Sequence, residues 1–240
     1  MFYEFLPNAD TAITVQFEKK ISEEVNACVT CLAAALENEN IPGVTECVPT
    51  FTSLTVFYNC RIIRAAALKK EIDRIISGMK TGEAADSVTY IIPVCYEGEF
   101  SPDMENVCSH TGLTRDEVIS LHTSKPYLIY MLGFLPGFAY LGGMDERLAT
   151  PRLKTPRLEI FEGGVGIGGS QTGIYPVASP GGWQLIGKTP VKVYNPASES
   201  PILYKAGDRI QFRAVPREEY DRIASLVANG EYTPEEVRNA

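Results

Sequence analysis

Between Tyr130 and Pro190 the sequence is so rich in Gly and Pro that few kinds of structure are open to it. More than half of the chain's 20 Gly and 16 Pro, counted together, lie in this stretch or at its edges. Gly permits backbone conformations that are closed to other residues, whereas Pro fixes φ and lacks a hydrogen-bond donor. Because aromatic and strand-forming residues are interleaved with them, the stretch predicts strands joined by tightly specified loops. Such loops on a rigid scaffold commonly form a binding surface.

The glycine run from Gly164 to Gly169 formally matches the Gly-x-Gly-x-x-Gly pattern of dinucleotide-binding proteins. That pattern requires a helix directly after it and an acidic residue about 20 positions further on. Residues 170–176 cannot form a helix, and Thr189 stands where the acid is expected. The sequence also has no phosphate-binding Gly-x4-Gly-Lys-Ser/Thr loop, and Ser170 lacks the strand–turn–helix context of a hydrolase nucleophile. A self-contained nucleotide loop is therefore excluded, and a serine hydrolase is disfavoured.

The second part of the chain, residues 85–240, is predicted to be rich in strands. Its short apolar runs are separated by turn residues and span 128–132, 165–167, 183–186, 191–194, 202–204 and 209–214. Short strands with this punctuation predict a closed or nearly closed β-barrel with long loops at one end. A terminal helix is expected over 217–228, and a last short turn from Thr233.

The first part, residues 1–84, is predicted to be an α+β domain. Strands are expected at 2–6, 11–17, 44–49 and 53–59, helices at about 22–38 and 61–77, and a polar join at 78–85 before a strand at 87–95. The first helix has an apolar stripe formed by Val25, Cys28, Leu32, Ala35 and Leu36. Two helices among these strands predict helices packed on one face of an antiparallel sheet. Nothing in this part clusters as a catalytic site, so a structural or docking role is favoured.

Composition and charge exclude several classes of partner. A hydrophobic content of 45% with 22% charged residues is typical of a globular protein with a core, and the net charge of −8 argues against nucleic acid and against an acidic membrane surface. No apolar run approaches the roughly 18 residues of a membrane span. Because the N-terminus lacks a basic start followed by an apolar core, we expect a cytoplasmic protein.

The six cysteines and two histidines are interpreted as structural. Cys28 and Cys31 form a Cys-x-x-Cys pair inside a predicted helix, where neither a redox motif nor a zinc site is expected. Buried thiols are the general tendency of free Cys. His110 and His122 each end a short predicted helix, where the helix dipole favours a partly charged imidazole. Catalysis by either histidine stays open, because an anion site here has few other bases to recruit.

The central stretch carries a set of polar side chains on its loops. They are Arg152, Arg157, Ser170, Gln171, Thr172, Tyr175, Ser179 and Lys188. Two arginines on backbone fixed by Pro can bind a carboxylate or a phosphate, and the amide and hydroxyl groups can orient an amide. Alternatively, the arginines pair with Asp145, Glu146 or Glu159, and the aromatic residues only fill the barrel. A site is favoured for the segment as a whole, because structure alone does not require so many polar groups there.

These motifs resemble a known family. Residues 133–143, 151–157, 168–176 and 179–190 are similar to the signature of the 5-oxoprolinase B-subunit family, which includes the Kip-type histidine kinase inhibitors and was long described as the first subunit of allophanate hydrolase. Residues 8–12 and 92–100 also fit, so the resemblance covers nearly the full chain. It implies an α+β N-terminal domain followed by a cyclophilin-like β-barrel domain.

The resemblance also implies an activity shared among different subunits. With a C-type partner the chain would activate 5-oxo-L-proline, a lactam, using ATP and Mg²⁺ at a site shared between them. An A-type partner would complete hydrolysis to L-glutamate, and the chain alone would be inactive. Two alternatives stay open, an inhibitor that binds a sensor histidine kinase and a carboxyltransferase-like component of a urea or allophanate pathway.

The family's motifs fall on residues that we take as candidates for binding substrate. They are Gly137, Phe138, Arg152, Arg157, Gln171, Thr172, Tyr175 and Ser179. The catalytic base and any metal ligand are left unassigned.

Overall fold

The computed structural model describes residues 2–79 and 87–239, and the chain divides into two compact units, Met1–Asp86 and Ser87–Ala240. The boundary predicted between residues 84 and 85, with most of the polar join, lies outside the described residues. Each unit has a hydrophobic core of its own.

The first unit is a four-stranded antiparallel sheet with two helices. Its elements are β1 (Tyr3–Pro7), β2 (Ala12–Phe17), α1 (Glu23–Glu39), β3 (Val44–Pro49), β4 (Ser53–Tyr58) and α2 (Ala65–Gly78). The strand order is β1-β2-β4-β3, and buried side chains of both helices join those of the sheet in one core. The predicted α+β arrangement is confirmed for this unit.

Helix α1 begins and ends at capping residues. The Ser22 hydroxyl accepts a hydrogen bond from the backbone N–H of Val25, and Asn40 ends α1 in the left-handed conformation. The buried stripe of α1 is centred on Val29, Leu32, Ala33 and Leu36, so it is rotated from the predicted stripe, whose Val25, Cys28 and Ala35 are only partly buried. Helix α2 begins later than predicted, because Asn59 and the residues after it form a hydrogen-bonded turn.

The second unit contains β5 (Ser87–Val94), α3 (Met104–Thr111), α4 (Arg115–Thr123), β6 (Tyr127–Leu132), β7 (Ala139–Gly142), β8 (Arg157–Ile160), β9 (Gly164–Gly168), β10 (Gln171–Ile174), β11 (Ser179–Gly181), β12 (Gln184–Lys188), β13 (Arg209–Ala214), α5 (Arg217–Ala228) and β14 (Glu235–Asn239). Two short 3₁₀ helices lie at Gly98–Phe100 and Glu146–Leu148. The strands form sheets of order β14-β5-β13-β6-β7, β10-β9-β12 and β11-β8. All their pairings are antiparallel except that of β5 with β13.

Several predictions for this unit are wrong in detail. Residues 191–194 and 202–204 are not strands, and a single bridge between Tyr194 and Ile202 joins them. The expected last turn is instead β14, which pairs antiparallel with β5. Strands β7, β8, β10 and β11 were not predicted, because Gly, Pro and charged residues give them little strand character.

The described part of the second unit is α+β with several sheets and is not one closed barrel. The three-stranded and five-stranded sheets meet at a bridge between Cys95, just after β5, and Lys188 of β12. The cyclophilin-like barrel is therefore not confirmed. In the part of the chain that the structure covers, no helix is long and apolar enough to cross a membrane.

Candidate functional site

The glycine-rich strand β9 packs against Trp183, the only tryptophan of the chain. Gly166 and Gly168 of β9 and Gly173 of β10 present one face of the sheet to Trp183, which is 4% exposed. A Cβ on Gly173 would come 3.3 Å from the indole ring, and one on Gly168 would overlap it. The glycines of the apparent dinucleotide motif therefore allow close approach of an aromatic ring to a strand.

We expect Gly168→Ala to destabilise the protein by about 1 to 3 kcal/mol, because the new methyl group forces the indole out of its packed position. Thermal or urea denaturation measures this loss. Gly169→Ala is not a suitable control, since Gly169 has a positive φ, whereas a Cβ on Gly78 meets nothing within 4 Å. Gly78→Ala, at the end of α2, should leave stability nearly unchanged. Equal stability of the Gly168 variant and the wild type would contradict the role given to this strand.

Three aromatic side chains form the centre of the candidate site. Trp183, Tyr175 and Phe138 contact one another edge to face, with ring centroids 5.5 to 6.1 Å apart. Ile160 and Leu185 complete this buried group. The aromatic residues thus fill space, as the alternative interpretation held, but they also form a rigid support for the polar groups around them.

Arg157 is held against this support by a buried carboxylate. Its Nη2 donates to Oδ1 of Asp103 at 2.7 Å, and the Asp103 side chain is 4% exposed. The other oxygen, Oδ2, accepts the backbone N–H of Leu185 at 2.6 Å, and the Asp103 backbone N–H donates to the Leu185 carbonyl. The arginine is therefore paired, but not with any of the three acids that the sequence suggested, since Asp145 pairs with Arg147.

Arg152 lies on the solvent side of the same aromatic group. Its guanidinium is 5.9 Å from the centroid of the Trp183 ring, a distance at which cation–π attraction acts. Among residues 2–79 and 87–239, no carboxylate is within ion-pair distance of it. The charge of Arg152 is thus exposed beside the half-buried Arg157 and its buried partner Asp103.

Two buried polar atoms at this place have no partner among the described residues. They are Nη1 of Arg157 and the hydroxyl of Ser179. Buried polar groups in native proteins are rarely left unpaired, and an unpaired one is a candidate for ligand contact. The amide oxygen of Gln184 is also unpaired, although its Nε2 donates to the Pro151 carbonyl. Gln184 pairs with Ile167 of β9, whose side chain lies in the main core, so it is on the opposite face of the sheet from Trp183.

The Tyr175 hydroxyl lies among these groups. Burial raises its pKa, while a hydrogen bond from the Trp183 backbone and the charges of Arg152 and Arg157 oppose that rise. Both guanidinium groups therefore lie near enough to this hydroxyl to act on it. It stays protonated at neutral pH and can donate a hydrogen bond.

Thr172 is placed elsewhere. It is fully buried, and its hydroxyl donates to the Gly166 carbonyl and lies 2.7 Å from Nε2 of His122. Alternate residues of β10 face opposite sides, so Gln171 shares the face of Tyr175 whereas Thr172 points into the core. Gln171 is half-buried at the start of the strand.

The remaining candidates are spread around the aromatic group. The Gly137 carbonyl accepts a hydrogen bond from Tyr204, and its positive φ favours glycine. Ser170 is exposed in the turn between β9 and β10, and the Lys188 ammonium lies over the rings of Phe100 and Phe161. The structure thus brings Phe138, Arg152, Arg157, Tyr175 and Ser179 together, and leaves Thr172 and Lys188 apart.

The interpretation of the histidines and cysteines needs correction. Burial lowers the pKa of His122 to about 3, so this imidazole is neutral and the expected partial charge is wrong. His110 is exposed. All six cysteines are free, but only Cys95 is fully buried, and the other five are half-buried.

Asp103 is a residue of the candidate site that sequence reasoning missed. It stands in Ser-Pro-Asp before α3, which indicates only the start of a helix. No local pattern links it to Arg157, because the contact spans 54 positions of the chain. Within the described ranges, no group of three or more His, Cys, Asp or Glu side chains is placed to hold a metal ion.

Comparison with known proteins gives the family. The carboxyltransferase domain family, subdomains C and D, matches residues 3–204. The 5-oxoprolinase B subunit of Bacillus subtilis (strain 168) is 41% identical over 228 residues, which are 91% of this chain and 95% of that protein. The chain belongs to the 5-oxoprolinase B-subunit family. The family's Escherichia coli O157:H7 member is 40% identical over 88% of this chain and 94% of its own length.

The fold of this chain is also similar to that of a solved structure. The structure of TTHA0988 matches with a TM-score of 0.75 and 36% identity over 85% of this chain. The matched region is 40% of the TTHA0988 chain, so this domain occurs there within a much longer protein.

Proposed function

We propose that the chain is the B subunit of an ATP-dependent 5-oxoprolinase. With a C-type partner it activates 5-oxo-L-proline, and an A-type partner completes hydrolysis to L-glutamate. The observation that carries the proposal is 41% identity to a protein of that name over 95% of its length. The donors around Tyr175 support it, because they suit a small acid with a lactam ring.

The chemistry explains which groups this chain contributes. A lactam carbonyl is a poor electrophile, and transfer of a phosphoryl group to its oxygen makes the ring carbon open to water. That step requires hydrogen-bond donors for the lactam acid and cations near the developing charge. Arg157, Tyr175 and Ser179 provide fixed donors, and Arg152 provides an exposed cation beside them.

The proposal requires a partner protein because the carboxylate near Tyr175, that of Asp103, is already hydrogen-bonded within the chain. Asp103 accepts hydrogen bonds from Arg157 and from Leu185, and the buried His122 is neutral. Neither is free to act as a general base beside Tyr175. The longer chain of TTHA0988 is consistent with such a complement. We therefore assign the base to the partner surface.

In this proposal ATP and Mg²⁺ are predicted to bind when the chain is assembled with its partner. Among the described residues, no group of three or more His, Cys, Asp or Glu side chains is placed to hold a metal ion, and in this proposal the nucleotide phosphates and the partner supply the remaining Mg²⁺ ligands. The proposal places the nucleotide in the site shared with the partner.

We also propose that the second unit is a distorted barrel of the cyclophilin-like type. Two approaches support closure, the bridge of Cys95 with Lys188 and the close contact of Gly173 in β10 with the Ala139 carbonyl in β7. An experimental structure of the complex with continuous strand pairing around this unit is the expected result. Open edges between these strand pairs would contradict it.

Arg157→Lys is expected to lower glutamate release by at least tenfold in the complex reconstituted from all three types of subunit. Lysine keeps the charge that pairs with Asp103 but loses the planar fork and its second nitrogen. ATP hydrolysis dependent on 5-oxoproline is measured alongside. The matched control is Arg222→Lys, since Arg222 is an exposed arginine that pairs with Glu219 on α5.

The outcomes separate the function from the residues. No glutamate from the wild-type complex would refute the proposed function, and capture of a histidine kinase dimerisation domain by the inactive chain would favour the inhibitor alternative. Activity of Arg157→Lys equal to that of Arg222→Lys would refute only the role of Arg157.

A further inference from the structure

The paired strands β8 and β11 turn a polar face toward Tyr175. Arg157 pairs with Gly181 and Ile160 with Ser179, and the register is irregular between these two pairs. As a result Arg157 and Ile160 both turn inward, while Leu158 and Glu159 between them are exposed. A Cβ on Gly181 would lie 2.5 Å from the Tyr175 hydroxyl, so the ribbon backbone lies directly against that group.

Two donors on this face are buried and unused. Nη1 of Arg157 has no partner among the described residues, although the same side chain is fixed by Asp103 through Nη2. Ser179 is 8% exposed, and its hydroxyl likewise has no partner in the described part of the chain. Leaving such groups unpaired costs stability, and a ligand that accepts hydrogen bonds would recover it.

The charges around this face favour a carboxylate ligand over a phosphate. Asp103 neutralises much of the Arg157 charge, since their atoms are 2.7 Å apart and the carboxylate is buried. Arg152 beside them leaves one net positive charge, which a phosphate with two negative charges would exceed at close range to the Asp103 carboxylate. A carboxylate with one negative charge matches the spare guanidinium nitrogen and the two hydroxyl donors.

We propose that Arg157 Nη1, Ser179 Oγ and Tyr175 Oη form a carboxylate subsite, which binds the carboxylate group of the lactam acid and not a phosphate of the nucleotide. The inference rests on the proposed function for the identity of the acid. It goes beyond that function by assigning one end of the substrate to named atoms of this chain. The lactam ring then extends from the subsite toward the partner surface.

The single tryptophan makes binding directly measurable in the full chain without its partners. Trp183 contacts Tyr175 with ring centroids 6.1 Å apart, so a ligand at Tyr175 changes the environment of the indole. We expect 5-oxoproline to shift or quench the Trp183 emission in a saturable manner. The same ring without its carboxylate, 2-pyrrolidinone, should give at least a tenfold weaker response, and inorganic phosphate and ATP should not compete with 5-oxoproline.

Two variants test the atoms. Arg157→Lys and Ser179→Ala should each weaken 5-oxoproline binding by at least tenfold, whereas the control Arg222→Lys should bind like the wild type. Ser179→Ala is the sharper test, because it removes a buried hydroxyl that has no partner among the described residues. It should therefore keep or raise the melting temperature while binding is lost, a combination that a purely structural role does not produce.

Each outcome decides the inference. Equal responses to 5-oxoproline and 2-pyrrolidinone, competition by phosphate, or unchanged binding in Ser179→Ala would overturn the carboxylate subsite even if the reconstituted complex is active. Binding of 5-oxoproline that depends on Arg157 and on the carboxylate would support the subsite even if that complex released no glutamate. The two proposals therefore fail separately.

Discussion

Replacing Asp103 by Ala is expected to lower the free energy of unfolding by about 2 to 4 kcal/mol, because it leaves the half-buried Arg157 without its buried partner and the Leu185 backbone N–H without an acceptor. Arg157 would lose the carboxylate oxygen at 2.7 Å, and the Leu185 backbone N–H would lose its acceptor at 2.6 Å. The first loss weakens the attachment of the start of α3 to β8, and the second weakens its attachment to β12. Urea denaturation of the purified chain measures the effect.

Further variants separate the charge from the hydrogen bond. Asp103→Asn keeps an oxygen for Leu185 and should lose less stability than Asp103→Ala. In the double variant Asp103→Ala/Arg157→Met no buried charge is left unpaired, so the two losses should not add. The control is Asp145→Ala, since Asp145 forms a similar pair at 2.8 Å with Arg147, whose side chain is 64% exposed. Solvent screens such exposed pairs, and the control should lose far less stability. A loss for Asp103→Ala no larger than that of the control would contradict the argument.

The parts of the fold that sequence predicts well are those with local signals. Strands β2 and β4 alternate apolar and polar residues, and the predicted bounds of β2, β3 and β4 agree with the structure to within one residue. Helix α4 follows a capping box formed by Thr114 and Glu117, which the structure contains. In these segments the local pattern and the tertiary structure require the same conformation.

The glycine-rich centre could not be predicted in the same way. Gly has low strand propensity, so the sequence predicts only the short apolar run 165–167 of β9 and no strand at β10. Both strands lie against Trp183, whose ring needs the space that the missing side chains leave. The prediction of a turn in place of β14 was wrong for another reason. The residues of β14 are largely exposed at a sheet edge and show no apolar alternation.

The sequence named several residues that lie together in the structure, but it did not predict the contacts that position them. Five of the eight proposed residues lie together, because the loops that carry them surround one aromatic group. The contacts that fix the arrangement join distant parts of the chain, namely Asp103 with Arg157 and His122 with Thr172. Such pairs leave no mark on local spacing, so the sequence could not distinguish a free arginine from a paired one.

His122 shows most clearly how contacts with distant residues change a prediction made from local sequence. Its surroundings require a neutral ring. The Thr172 hydroxyl donates to the Gly166 carbonyl and so accepts from Nε2 of His122. The other ring nitrogen, Nδ1, then accepts the hydroxyl proton of Tyr96 at 2.8 Å. The ring also stacks on Phe212 at 4.5 Å and is fully buried. A second proton on the ring would displace the Tyr96 proton and place a charge in an apolar core.

Stability is therefore expected to fall as the pH is lowered below about 6.5, the ordinary pKa of a histidine in an unfolded chain. The folded pKa is about 3, so between these values the unfolded state binds one proton more than the folded state and is favoured by acid. This difference removes about 2 kcal/mol of stability between pH 7 and pH 5, with a slope of at most about 1.4 kcal/mol per pH unit. Urea denaturation across this range should show that loss in the wild type and in His110→Gln, whose histidine is exposed, but not in His122→Gln. Because the carboxylates titrate alike in all three proteins, the difference between the two variants isolates His122. Parallel pH curves for His110→Gln and His122→Gln would show that this ring is not neutral in the folded protein.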